Sequence, residues 1–76
     1  MNKQRRARIE EIVNQIGVLL YDLEEIRDEE QEYMDNMPEN LQGSEKYEIA
    51  EEVVSNLESA IDSLNDAVDY ANEAIV

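Results

Sequence analysis

VVSNLESAIDSLNDAVDYANEAIV, residues 53 to 76, divides into VVSNLES, AIDSLND, AVDYANE and AIV, nearly an internal repeat with a period of seven. A seven-residue apolar period is the signature of an α-helix packed lengthwise against other helices. Leu57, Leu64 and Ala71 take one seam position, Ala60, Ala67 and Ala74 the next, and Val54, Ile61, Val68 and Ile75 the flank. Alanine at every second turn lets a neighbouring backbone come close, so this face is expected to pack tightly on another helix.

The first half carries the same period. Ile9, Ile12, Ile16, Leu19, Leu23, Ile26, Tyr33 and Met37 follow a 3-4-3-4 spacing broken only at Glu30, with Val13, Leu20 and Met34 beside the seam. That stripe is wider than a two-stranded coil requires and suits a bundle helix. Between the halves lies DNMPENLQGS. Pro38 biases Met37 away from the α region, so the first helix should stop near Asn36. Gly43 and Ser44 then provide a turn and an N-cap, with Glu45 at the positive end of the new helix dipole; Tyr47 stands where a full capping box would have Glu or Gln. The expectation is an all-α antiparallel hairpin forming one domain over residues 1–76, with helices at about 3–36 and 44–75, a connector at about 37–43 and a basic end at 1–8. Each helix would be close to 50 Å long at 1.5 Å per residue.

Seventy-six residues bury little surface, and with no cysteine and no histidine neither a disulfide nor a Cys/His zinc site can supplement the core. Self-association remains, so a homo-oligomer is expected, by default a dimeric four-helix bundle. Glu10 and Glu11 fall where a signal peptide would be apolar, and the longest apolar run, Gly17 to Tyr21, is far short of the ~20 residues of a membrane span. A soluble protein in the cytoplasm is expected. The net charge is −14, unevenly spread. Lys3, Arg5, Arg6 and Arg8 precede Ile9; beyond it only Arg27 and Lys46 stand against all twenty carboxylates, a balance of −18. Such a surface repels DNA and anionic lipid and attracts basic partners.

Catalysis is not expected. The usual general bases and nucleophiles, His and Cys, are absent, and Ser55, Ser59 and Ser63 lie on a polar helix side without a base. The carboxylates Asp22, Glu24, Glu25, Asp28, Glu29, Glu30, Glu32 and Asp35 invite a metal reading. Glu24, Glu25 and Asp28 fall at positions facing water, however, and Glu-x-x-His cannot be written. Glu30, at a core position, would reach the bundle end or pair with Arg27 or Lys46. An EF-hand starting at Asp35 fails because Met37 and Leu41 occupy ligand positions and Asn40 replaces the required glycine. No metal or cofactor is expected.

Two features exceed what the heptads need. Around the connector, Tyr33, Asn36, Asn40, Gln42, Ser44 and Tyr47 gather amides, a hydroxyl and aromatic rings that suit a planar hydrogen-bonding ligand, or else close the bundle end. At the N-terminus, Arg5, Arg6 and Arg8 lie beside Asp66, Asp69 and Glu73 in an antiparallel hairpin, where they pair internally or converge from different protomers on phosphates.

The run IRDEEQEYMDNMPENLQGSEKYE, Ile26 to Glu48, resembles a segment shared by small acidic proteins of tailed bacteriophages, mostly of Gram-positive hosts, with DEEQEYMDNMPENLQGSE its most specific part. The resemblance implies a phage source, a bacterial host cytoplasm and an accessory role, and carries no catalytic residues. It leads to a non-enzymatic antagonist of bacterial defence that acts by stoichiometric binding, in one of two modes. In the first, an acidic face of Asp22, Glu25, Asp28, Glu29, Glu32 and Asp35 imitates nucleic-acid phosphates and blocks a basic host protein. In the second, the oligomer traps a nucleotide immune signal, with Tyr33 or Tyr47 stacking, Asn36, Asn40, Gln42 and Ser44 reading edges, and Arg5, Arg6, Arg8 or Arg27 meeting phosphates. The alternative is a scaffolding helper in phage assembly or replication.

Overall fold

The computed structural model describes residues 1–75. Helix α1 runs Lys3–Asp35, a 3-10 turn occupies Glu39–Leu41, and helix α2 runs Glu45–Ala74. Among the described residues there is no strand. Helices of 33 and 30 residues would each span about 45–50 Å, yet the chain extends only 59 × 15 × 12 Å. They therefore lie side by side, and a short connection between neighbours of equal length makes them antiparallel.

Each boundary has a local cause. Asn2 caps α1, its Oδ1 accepting from the Arg5 N–H at 2.8 Å, and Ser44 caps α2, its Oγ accepting from the Tyr47 N–H at 3.4 Å. α1 stops one residue before the site expected from Pro38, and the Asn36 N–H closes its last turn on the Glu32 carbonyl at 3.0 Å. Leu41 N–H to Pro38 O at 2.8 Å, Gln42 N–H to Glu39 O at 3.2 Å and Ser44 N–H to Leu41 O at 3.0 Å then turn the chain. Gly43 needs no left-handed conformation there, since no residue described has a positive φ.

The seam between the helices differs from the expected one by one column. In α1, Ile9, Val13, Ile16, Leu20, Leu23, Arg27, Glu30 and Met34 form a shielded 4-3-4-3 series, with Glu24 and Gln31 half-buried beside it. Leu20 and Met34 are buried, while Ile12, Leu19, Ile26 and Tyr33, expected in the seam, are 53, 58, 50 and 48% exposed. In α2 the shielded series is Tyr47, Ala50, Val54, Leu57, Ile61, Leu64, Val68, Ala71 and Ile75. Val54 and Ile61, expected on the flank, are buried, and Ala60, Ala67 and Ala74, expected in the seam, face out. The stripe on each helix is three columns wide, and the partner helix covers only the middle column and one edge. Met34, Ala50 and Val54 form the buried cluster, with Tyr47 against it.

Glu24, expected in water, is half-buried beside the seam, and Glu30 is half-buried within it. Arg27 pairs with Asp28 at 3.0 Å and not with Glu30. Only five of the described residues are buried: Leu20, Met34, Ala50, Val54 and Ile61. So thin a core supplies a few kcal/mol at most.

Candidate functional site: an apolar face, an acidic ridge and a connector depression

The register divides the hairpin into two faces. Each helix has one column flanking the seam on either side, and reversing one helix brings its equivalent column to the same side as that of its neighbour. One side therefore carries Ile12, Leu19, Ile26 and Tyr33 from α1 together with Val53, Ala60, Ala67 and Ala74 from α2, all of them exposed. The opposite side carries Glu10, Gly17, Glu24 and Gln31 against Glu51, Glu58, Asn65 and Asn72. One face is apolar from Ile12 to Tyr33 and from Val53 to Ala74, and the other is polar. Sequence reasoning missed this division, although the signal was present in the two columns spaced by seven; the missing step was pairing them across a reversed helix.

Farther round α1, on the side away from α2, Asp22, Glu25, Asp28, Glu29, Glu32 and Asp35 are all exposed. Four of them, Glu25, Asp28, Glu29 and Glu32, join Tyr21 and Glu24 in lining a shallow groove of about 310 Å³. Asp28 is engaged by Arg27, and Asp35 Oδ1 accepts from Gln31 Nε2 at 3.0 Å. Among the described residues the other four acidic-face carboxylates have no such side-chain partner. Among the described residues no three carboxylates converge closely enough to hold a metal ion.

The connector brings together some of its expected ligand residues and not others. Tyr33, Asn36 and Ser44, with Met37, Pro38, Leu41 and Lys46, line an open depression of about 550 Å³. Lys46 was not among the expected residues, although it lies two turns before Val53 in the series that also holds Ala60, and so opens on the apolar face. Tyr47 is drawn away into the core cluster, and Gln42 is turned back, its Nε2 donating to the Met37 carbonyl at 3.5 Å. Asn40 is exposed outside the depression.

Arg5, Arg6 and Arg8 lie at the other end of the molecule. Arg5 and Arg8 line depressions with Asn2, Gln4, Ala7, Ile9 and Ile12. Within one chain they cannot meet the connector, which lies about 45 Å away along α1. The expected internal pairing also fails: Lys3, Arg5, Arg6 and Arg8 form no salt bridge to Asp66, Asp69 or Glu73. Among the described residues no helix is long and apolar enough to cross a membrane. Comparison with protein-family models, curated proteins and solved structures finds no match to this chain.

Proposed function

We propose that this chain is a non-enzymatic phage accessory protein that pairs with a second copy of itself through its apolar face and antagonises bacterial defence by stoichiometric binding. The observation carrying the binding mode is the exposed acidic ridge of α1, Asp22, Glu25, Asp28, Glu29, Glu32 and Asp35. These six charges spread over fourteen residues amount to roughly one per 3 Å of helix axis, close to the ~3.4 Å per phosphate of one nucleic-acid strand. Glu25 and Glu32 lie on the back of the hairpin and Asp28 and Asp35 on its polar side, so they stay in water when the apolar face is covered. A basic groove built for a nucleic-acid backbone would accept such a ridge.

The test is phage growth on hosts carrying single, defined defence systems, with and without the protein. Rescue is expected against a system whose effector binds nucleic acid, through a complex that weakens as salt rises. Glu25→Lys with Asp28→Lys should abolish both rescue and complex, because two charges of the ridge change sign; full inhibition by that variant would sink the proposal.

The connector depression favours a second mode on its own observation. It juxtaposes an aromatic ring, an amide, a hydroxyl and the Lys46 ammonium at the rim of the apolar face, groups suited to a nucleotide-derived signal. Cyclic and ADP-ribose-type nucleotides then raise the melting temperature, by linkage to the folded state. A panel of both types that leaves melting unchanged removes this mode and leaves the ridge.

A further inference from the structure

The geometry points to one arrangement for the self-association proposed above: a two-fold dimer with the connectors at opposite ends, in which Arg5 and Arg8 of the partner subunit complete the rim of the connector depression. The inference rests on that self-association and adds its orientation and a composite site.

The occupant of the apolar face is a second copy because the face is self-complementary in three respects. Its size fits: the side of the hairpin that carries it is 59 Å long and 15 Å wide, with the apolar columns filling the central ~32 Å, and such a side matches the roughly 800 Å² per partner of a standard stable interface. Its symmetry fits as well. Met34 packs with Ala50 and Val54, and counting back along both helices puts Leu23 level with Ile61. The α1 column has its midpoint between Leu19 and Ile26, and the α2 column has its midpoint between Ala60 and Ala67, so both midpoints lie within about a turn of that level. A single two-fold axis there lays Ile12 against Tyr33 of the partner subunit, Leu19 against Ile26 of the partner subunit, and the alanine columns against each other.

Charge then selects the end-to-end sense. From Leu23 to Ile61 thirteen carboxylates stand against Arg27 and Lys46, a balance of −11, while the rest of the chain carries seven carboxylates and four basic residues, a balance of −3. Placing both connectors at one end would bring the two −11 halves together. Opposing them sets each −11 half beside a −3 half, and lays the unpaired Arg5 and Arg8 of the partner subunit over the Asn36–Asn40 stretch and Glu39. The guanidinium groups missing from the connector in one chain are supplied by the other.

Ala60 tests this, because the opposed arrangement brings the two Ala60 positions together near the axis. The same-end arrangement would separate them diagonally across the bundle and bring Ala60 near Ile26 of the partner subunit. The chain has no cysteine, so Ala60→Cys, Ile26→Cys and, as a control on the back of α2, Ser59→Cys each introduce a single thiol at an exposed position. With a short bismaleimide, A60C should convert to covalent dimer at least tenfold faster than S59C. A mixture of A60C and I26C chains should give no faster heterodimer formation than S59C does. Sedimentation of the uncrosslinked chain separates the two levels of the argument. A monomer overturns the self-association itself. A dimer in which A60C crosslinks no faster than S59C, or in which A60C joins I26C instead, overturns the opposed orientation and leaves self-association standing.

Discussion

Leu19→Asp combined with Ile26→Asp is expected to reduce the protein to a monomer whose melting temperature no longer rises with concentration. Both side chains are half or more exposed in the single hairpin, so what they lose is burial against the second copy. Full burial of a side chain of this size contributes up to about 3 kcal/mol, so covering the half left exposed contributes about 1.5 kcal/mol. The two-fold repeats each loss, giving about 6 kcal/mol, or roughly four powers of ten in the dissociation constant. The carboxylates add to this, since each would be set against apolar surface or against another carboxylate. Sedimentation across a hundredfold concentration range, with melting at each concentration, measures the effect. A double variant that sediments like the parent would remove the apolar face as the contact between copies. Val18→Asp, on the back of α1 at 64% exposure, should leave sedimentation unchanged.

Leu20→Ala is expected to unfold the hairpin at micromolar concentration. Leu20 is 7% exposed and is one of five buried side chains among the described residues. Truncating a buried leucine costs about 2–5 kcal/mol, a transfer term plus a cavity that the surroundings fill only in part. A core this small supplies stability of the same order, so the loss is not a shift in melting temperature but the disappearance of the folded state. Far-UV circular dichroism at micromolar protein should show most of the helical signal gone, because an isolated helix of about thirty residues with this many charges is marginal in water. Val18→Ala, two residues away and exposed, should stay within about 0.5 kcal/mol of the parent. Equal losses at Leu20 and Val18 would show the seam to lie elsewhere on α1.

The contrast between Leu19 and Leu20 marks where sequence reading stopped. The apolar positions of α1 form a stripe three columns wide whose centre runs through Ile9, Ile16 and Leu23. Both edges of that stripe are apolar: Val13, Leu20 and Met34 on one side, Ile12, Leu19, Ile26 and Tyr33 on the other. Periodicity finds the centre and cannot say which edge belongs to α2. The edge carrying Ile12, Leu19 and Ile26 is the more continuous, since the other is interrupted by Arg27. In the hairpin Arg27 is half-buried in the seam, its charge matched by Asp28, and the cleaner edge is left outside. On the proposed self-association, α1 divides its stripe between α2 and the second copy.

The candidate sites divide in the same way. The acidic ridge was legible because carboxylates at the c and f positions of the heptad, Glu25, Asp28, Glu32 and Asp35, face away from the seam whichever edge of the stripe is covered, whereas Glu24 at b did not stay in water. The connector was legible as a cluster of residue types, but not which of them would share a surface. Tyr47 fell into the core because it begins the α2 seam series, and Gln42 folded back on the Met37 carbonyl. Lys46 was overlooked because a lone lysine after an N-cap carries no signal of its own; only its column places it on the rim with Tyr33.

By itself, then, the sequence determined two helices, their lengths to within a residue or two, the turn at Pro38 and Ser44, and a stripe too wide for one partner. Those features follow from local sterics, capping and side-chain period, which act over a few residues. Only the tertiary structure decided that the columns of Ile12 and Ala60 share one uncovered face while the carboxylates of Glu24 and Glu51 share the other. That outcome depends on how far each helix rotates about its axis when the two close on Met34, Ala50 and Val54, a choice made by long-range packing that no short window of sequence contains.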